Sequence, residues 1–227
     1  MIPARHSRLF ASVFAVYTSA LLRRRFAAVY ARGSLPEADE PLVVAAQHVG
    51  WWDPMVLFHL SRVRFSGTHY TMMEAANLRR LRFFGKLGAF GVDRTSRTET
   101  LATMRYALAR LAEPGARVWL FPQGAIAPCD KRPLGCDPGA SWLAERAGVP
   151  VVPVAIRYEF LEEQFPQAFV SFGVPRADGD VEAMLTAEAD SLRDALCSRS
   201  LGGFDVVLRG RRSISDYLPT NRSNRRE

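Results

Sequence analysis

The sequence predicts a single α/β domain with a mixed central sheet flanked by helices, preceded by an amphipathic helical extension at the N-terminus. From residue 41 onward, short apolar strand-like segments alternate with segments of helical periodicity, which is the pattern of an α/β domain. The length of 227 residues suits one large domain, and no internal repeat interrupts it. We expect a helical segment and linker over residues 1–36, the main domain over residues 37–210, and a flexible basic tail over residues 211–227.

Residues 5–30 are predicted to form the N-terminal helix, because apolar and polar side chains gather on opposite sides of a helical wheel. The apolar side consists of Leu9, Phe10, Val13, Phe14, Tyr17 and Leu21. The apolar run is too short to span a bilayer, which takes about 20 residues. Arg23-Arg24-Arg25 stands where a signal peptide would need small residues. The segment is typical of an interfacial helix with its arginines toward lipid headgroups, and packing on the protein's own body is the alternative.

The other elements follow a polar linker at residues 33–41. Strands are expected over residues 41–46, 68–73, 89–93, 117–121, 151–157 and 169–174. Helices are expected over residues 54–62, 78–84, 96–112, 140–147 and 181–197. Ser96 and Glu99 form a capping-box pattern at the start of the third of these helices, and Gly148 ends the fourth.

The net charge of +7 is concentrated at the two ends of the chain. Residues 1–32 contain six arginines and no acid, and residues 209–227 contain six arginines against two acids. The stretch between them has 18 basic and 21 acidic side chains, so the excess positive charge belongs to the ends. Basic ends favour contact with an anionic membrane surface. Nucleic-acid binding is not expected, because the ends have no interleaved aromatic residues and no recognition motif.

The three cysteines, Cys129, Cys136 and Cys197, are an odd number and have no zinc-type spacing. Free thiols in a reducing compartment are the simplest interpretation, and we expect no metal site.

The stretch from Ala45 to Pro54 is the strongest candidate for a catalytic site. It places His48 and Asp53 in a loop between the end of a buried strand and the start of a helix, with Asp53 as the expected N-cap and Pro54 in the first helical position. Such loops commonly present catalytic groups. A neutral imidazole at this position is able to take a proton from a hydroxyl while the carboxylate stabilises the imidazolium. A purely structural histidine is the alternative.

Three further segments follow strand ends in order. Gly88–Arg94 ends a strand with an arginine, Phe121-Pro122-Gln123-Gly124 ends another with a tight turn, and Val149–Val154 opens a valine- and proline-rich strand. Each is uninformative alone, and their order and separation after the His-Asp loop carry the signal.

These four segments together resemble the glycerolipid acyltransferases of the lysophosphatidic acid and glycerol-3-phosphate type over residues 40–175. The resemblance implies transfer of a fatty acyl group from coenzyme A or acyl carrier protein, acting as co-substrate, to a lipid hydroxyl without a cofactor. His48 would be the general base, oriented by Asp53. Backbone amides in the loop after His48 or near Gly124 are candidates to stabilise the oxyanion.

The resemblance also implies the remaining site residues. We expect the acceptor to be bound by Arg94, Gln123 and Gly124. Lys131 and Arg132, a few residues further on, are candidates to bind it as well, although a pair solvated in the loop is the commoner interpretation. We expect the acyl chain or its carrier to be bound by Trp51, Trp52, Phe121, Pro122 and Pro153, although the two tryptophans are equally interpreted as core anchors.

The third segment departs from the family pattern, which has Glu-Gly-Thr-Arg where this chain has Gln123-Gly124-Ala125-Ile126. A phosphate-bearing lysophospholipid, a glycolipid or other polyol acceptor, and a catalytically silent lipid-binding protein therefore all remain open. The expected location is the cytoplasmic face of the cell membrane, with peripheral attachment.

Overall fold

The computed structural model describes residues 1–36 and 39–214, which form one α/β sheet structure as predicted. The strands are β1 Ala28–Arg32, β2 Leu42–Ala46, β3 Thr68–Glu74, β4 Ala89–Val92, β5 Ala116–Leu120, β6 Val151–Glu159, β7 Gln167–Phe172 and β8 Asp205–Arg209. The helices are α1 Arg8–Arg25, α2 Asp53–Val63, α3 Ala75–Arg80, α4 Arg97–Leu111, α5 Gly139–Ala147 and α6 Val181–Cys197, with a 3-10 helix at Arg82–Leu87. Most of the expected basic tail, from residue 215 on, lies outside the described residues.

The eight strands form one mixed sheet in the order β4-β3-β5-β2-β6-β7-β1-β8. The neighbours from β4 to β6 are parallel, whereas the β6–β7 and β1–β8 pairs are antiparallel. Strand β2 is buried along its whole length because helices cover both faces of the sheet. Val44 packs toward α1 and α2, and its neighbour Val43 packs toward α4, α5 and α6. This central position gives the loop after β2 a rigid base.

Two strands, β1 and β8, were not predicted from the sequence. The predicted helix over residues 5–30 is wrong at both ends, because it spans Arg8–Arg25 and the chain then enters the sheet as β1. Strand β1 pairs with β7 and β8, so the segment assigned to residues 1–36 contributes to the sheet of the main domain. The burial of Val29 and Ala31 explains the strand, since both complete the hydrophobic core.

The other element boundaries agree with expectation to within a few residues, with one exception. The helix predicted over residues 78–84 is interrupted at Leu81, which separates α3 from the 3-10 helix. The last predicted strand, over residues 169–174, is shifted two residues toward the N-terminus. Helix α4 begins after Ser96, whose hydroxyl accepts from the amide of Glu99 at 3.3 Å, and α5 ends at Gly148 with φ of 66°.

Helix α1 divides its apolar side chains between the protein body and solvent. Phe14 packs edge-to-face against Phe58 of α2 with ring centroids 5.2 Å apart, and Leu22 is fully buried. A second stripe remains exposed, with 56% to 79% of each residue accessible: Leu9, Val13, Val16 and Tyr17. The single apolar side expected from the wheel is therefore split. No helix among the described residues has the length and apolarity needed to cross a bilayer.

Candidate active site

The His-Asp loop connects the end of β2 at Ala46 to the start of α2 at Asp53. Asp53 is not the N-cap, in contrast to expectation. Trp52 occupies that position without a side-chain hydrogen bond to the helix. The Asp53 carboxylate instead turns back into the loop, where it accepts from the backbone amides of Val49 at 2.7 Å and Gly50 at 2.9 Å. The loop is therefore folded around this carboxylate.

The same carboxylate oxygen, Oδ2, lies 2.8 Å from Nδ1 of His48. Asp53 is fully buried, while 18% of the His48 side chain is exposed. Because a carboxylate only accepts, the neutral imidazole has its hydrogen on Nδ1 and its basic lone pair on Nε2. The arrangement leaves Nε2 as the nitrogen that is able to take a proton from a bound hydroxyl.

Tyr158 of β6 completes the hydrogen bonding of Asp53. Its hydroxyl donates to Oδ1 at 2.6 Å, so four donors satisfy the two oxygens of a buried charge. Burial, followed by the adjacent carboxylate, holds the pKa of Tyr158 well above its usual value, which keeps the hydroxyl protonated and donating. Tyr158 was not singled out in the sequence, because it stands 105 residues from Asp53.

The loop after β5 holds the His-Asp loop by its backbone. Gln123 Oε1 accepts from the amide of His48 at 2.7 Å, and the His48 carbonyl accepts from the amide of Ala127 at 2.9 Å. Gln47 Nε2 donates to the carbonyl of Cys129 at 3.2 Å. Both backbone polar groups of His48 are thus paired with one segment, which restricts the position of the imidazole. Gln123 fulfils this role through its amide oxygen, as a carboxylate oxygen would.

A cavity of about 990 Å³ passes along His48. Apolar residues from α1, α2, β3, β5 and the 3-10 helix line one part of its wall, which we call the apolar wall. They are Phe14, Leu57, Phe58, Met73, Phe84 and Trp119. Charged and polar residues near the C-terminal ends of β3, β4 and β5 line another part, which we call the polar wall. They are Glu74, Asn77, Arg94, Thr100 and Asp137.

Arg94 lies across the loop that begins at the end of β5. Its guanidinium covers Gly124, where a Cβ atom would overlap it, and forms an ion pair with Asp137. Gly124 has φ of 67°, a left-handed backbone conformation that favours glycine. About half of each side chain in the ion pair is exposed, at 49% and 53%. The backbone amide of Asp137 donates to the Pro122 carbonyl at 2.9 Å, which fixes the acidic residue beside the arginine.

Comparison with known proteins assigns a family to this site. The model of the Acyltransferase family matches residues 27–157, which contain the His-Asp loop, Arg94, the loop with Gln123 and the first part of β6. The chain belongs to the Acyltransferase family. This confirms the superfamily expected from the four sequence segments.

Two individual proteins show the same relationship. A 1-acyl-sn-glycerol-3-phosphate acyltransferase of Chlamydomonas reinhardtii is 32% identical over 129 residues, which are 56% of this chain and 37% of the algal protein. The chain therefore spans little more than a third of the length of that relative. The crystal structure of the 1-acyl-sn-glycerophosphate (LPA) acyltransferase PlsC from Thermotoga maritima superposes with a TM-score of 0.56 at 18% identity, covering 83% of this chain and 77% of that chain. The second similarity shows that the fold is shared.

Several residues predicted for the acyltransferase site do meet at the cavity. Phe121 stacks on the imidazole of His48 with centroids 4.3 Å apart and planes 23° apart. Phe121, Pro122, Gly124 and Arg94 all line the cavity together with His48. Gln123 contacts the backbone of His48 and is not among the lining residues. Their roles toward acyl chain and acceptor stay predictions.

Other predicted residues lie elsewhere. Neither Lys131 nor Arg132 lines the cavity, and Arg132 instead forms an ion pair with Asp190 of α6 at 2.6 Å. Because neither side chain lines the cavity, their position does not support a role in acceptor binding. Pro153 is also absent from the cavity wall, since it lies buried in β6 opposite Ala45 of β2.

The two tryptophans of the His-Asp loop do not line the cavity either. Trp52 packs edge-to-face on the buried Phe26 with ring centroids 5.1 Å apart, which favours the interpretation of Trp52 as a core anchor. Trp51 is 63% exposed and contacts Trp52. Neither position supports contact with an acyl chain inside the cavity.

Three of the backbone amides expected to stabilise an oxyanion already donate within the protein. The amides of Val49 and Gly50 donate to Asp53, and the amide of Gly124 donates to the carbonyl of Phe121 at 3.0 Å. In the part of the chain that the structure describes, no three His, Cys, Asp or Glu side chains are grouped as metal ligands.

Proposed function

We propose that this protein transfers a fatty acyl group from an acyl thioester, coenzyme A or acyl carrier protein, to a hydroxyl of a lipid acceptor. The observation that carries the proposal is the buried Asp53 carboxylate holding His48 beside a large cavity, in a chain of the Acyltransferase family. The algal relative and the Thermotoga protein both have names that describe acyl transfer to a lysophosphatidate-type glycerolipid.

The reaction proceeds by general base catalysis. His48 Nε2 takes the proton of the acceptor hydroxyl while the oxygen attacks the thioester carbonyl carbon. The tetrahedral intermediate collapses with cleavage of the carbon–sulfur bond, and the imidazolium returns the proton to the leaving thiolate. Asp53 stabilises the imidazolium formed between these steps, since its charge is buried 2.8 Å from Nδ1. No covalent acyl-enzyme is needed.

The apolar wall is suited to the hydrocarbon chain of the substrate. Three phenylalanines from three different helices, Phe14, Phe58 and Phe84, form part of it. Phe14 contacts both of the others, with ring centroids 5.2 Å and 6.4 Å apart. A chain bound there would exclude water from the apolar wall, and the hydrophobic effect would supply binding free energy.

The test is acyl transfer from palmitoyl-coenzyme A to a panel of lysophospholipid, glycerol-3-phosphate and glycolipid acceptors. We expect His48→Ala to lower kcat by about 10²- to 10⁴-fold, as removal of a general base does. His59→Gln is the matched control, because His59 is buried in α2 and does not line the cavity. Full activity of His48→Ala would remove the imidazole from the mechanism. Absence of turnover with acyl-lipid binding unchanged in Asp53→Asn would favour a silent lipid-binding protein.

We also propose that α1 attaches the protein to the cytoplasmic face of the membrane. Its exposed apolar stripe is followed by three arginines in the last turn, Arg23, Arg24 and Arg25. Apolar side chains bordered by cations are typical of helices at an anionic bilayer surface.

Sedimentation with vesicles tests the attachment. We expect wild-type protein to bind vesicles containing phosphatidylglycerol more strongly than vesicles of phosphatidylcholine. Val13→Glu should weaken binding by about tenfold, because it places a charge within the apolar stripe. Val174→Glu is the control, since Val174 is 77% exposed and lies outside α1. Equal loss from both substitutions would contradict attachment through α1.

A further inference from the structure

The charge of the polar wall differs from that expected of a phosphate site. Its charged side chains are the two carboxylates of Glu74 and Asp137 and the single guanidinium of Arg94. The other arginines of the cavity wall, Arg8 and Arg62, belong to α1 and α2. The cavity wall as a whole has three arginines and two carboxylates, so the excess of negative charge is confined to the polar wall.

The one cation of the polar wall is already paired. Arg94 forms its ion pair with Asp137, whose backbone is held by Pro122 in the loop that also carries Gln123. Glu74 accepts from the side-chain amide of Asn77 at 2.8 Å and does not compensate the arginine further. A phosphate that bound Arg94 would have to displace the Asp137 carboxylate or accept it as a direct neighbour.

We propose that Asp137 determines acceptor specificity, by excluding acceptors whose reacting end is a phosphate monoester and favouring a lipid with an uncharged polyol or sugar end. The inference rests on the acyltransferase function proposed above. A phosphate dianion bound at Arg94 beside the Asp137 carboxylate experiences like-charge repulsion, which is an effective means of rejecting a ligand. Neutral hydroxyls suit the same pair, because the carboxylate of Asp137 accepts their hydrogens and the guanidinium of Arg94 donates to their oxygens.

The experiment compares acceptors that differ in the phosphate group. Monoacylglycerol, a monohexosyl acylglycerol and lysophosphatidate with the same acyl chain are each supplied with palmitoyl-coenzyme A. The ratio of kcat/KM for the better neutral acceptor to that for lysophosphatidate is measured for wild type, Asp137→Asn and Asp205→Asn. Asp205 is the matched control, since it forms a surface ion pair with Arg64 at 2.7 Å and does not line the cavity.

We expect the wild type to prefer a neutral acceptor and Asp137→Asn to shift the ratio toward lysophosphatidate by about tenfold or more. Asp205→Asn should leave the ratio within about twofold, because it removes the same charge from a distant surface. A ratio unchanged in folded Asp137→Asn would overturn the inference. A preference of the wild type for lysophosphatidate would overturn it as well, and that measurement does not depend on whether the variant folds. If no acceptor is acylated and the wild type equals His48→Ala, the proposed function fails together with the inference.

Discussion

The hydrogen bond from Tyr158 to Asp53 provides the sharpest test of the catalytic arrangement. Tyr158→Phe removes one oxygen and leaves the ring, which packs against Phe26 with centroids 5.8 Å apart. The lost bond is 2.6 Å long and has a fully buried carboxylate as its acceptor. Asp53 keeps its bonds to the catalytic loop, so the change removes one of four donors.

The size of the effect follows from this geometry. A hydrogen bond to a charged group contributes about 1.5–3 kcal/mol. The free energy of unfolding should fall by that amount, because Asp53 Oδ1 loses its donor in a buried position that water does not reach. If about half of that loss is also felt in the transition state, where Asp53 must hold the imidazolium in place, kcat falls by roughly 4- to 13-fold. KM should change little, since Tyr158 does not line the cavity.

Steady-state acyl transfer and urea unfolding measure the two quantities. Tyr70→Phe is the matched control, because Tyr70 also donates to a carboxylate, Glu113 Oε2 at 2.7 Å, and does not line the cavity. We expect both variants to be destabilised and only Tyr158→Phe to lose kcat. The reasoning is refuted if Tyr158→Phe retains wild-type kcat, or if Tyr70→Phe loses activity to the same degree.

Three other changes have defined outcomes. Asp53→Asn should lower kcat by about 10²- to 10⁴-fold in a protein that still folds, measured by acyl transfer and circular dichroism. The amide oxygen is able to accept the bonds made to Oδ2 and the amide nitrogen is able to donate to the Tyr158 hydroxyl, but the neutral side chain does not stabilise the imidazolium. Gln123→Met should lower the free energy of unfolding by about 1–3 kcal/mol in urea titration, since the buried amide of His48 loses its acceptor, and Gln123→Glu should restore it. Burial lowers the pKa of His69 to about 4, so the folded state loses stability as the pH falls below 6.5. In His69→Gln, whose amide oxygen still accepts from Trp119, the free energy of unfolding measured by urea titration should fall by about 2–3 kcal/mol less between pH 7 and 4.5 than in the wild type.

The contact between His48 and Asp53 was predictable because its signal is local. His48 and Asp53 are separated by five residues, and the strand before them and the helix after them were evident from the apolar pattern. The four segments in order were sufficient to indicate the family. Only the direction of the Asp53 side chain was wrong, since an aspartate before a proline is typical of an N-cap and the loop amides compete for the same carboxylate.

The missed and misplaced residues share a different property, which is long sequence separation. Nothing near Tyr158 indicates that its hydroxyl reaches the loop after β2, and nothing near Asp137 indicates that it pairs with Arg94. Lys131 and Arg132 were assigned to the acceptor by their proximity to Gln123 in sequence, whereas the chain turns Arg132 toward α6. Charge alone does not reveal which partner a side chain meets.

Local patterns of apolar periodicity and motif order determined the α/β class, most of the helices and strands, and the choice of His48 and Asp53 as the candidate base and its carboxylate. Tertiary structure decided that β1 and β8 extend the sheet, that α1 is half packed and half exposed, and that one acid of the polar wall neutralises its only arginine. The physical reason is that periodicity and capping are written in neighbouring residues. Pairing between strands and between charges depends on where distant segments meet once the core has formed.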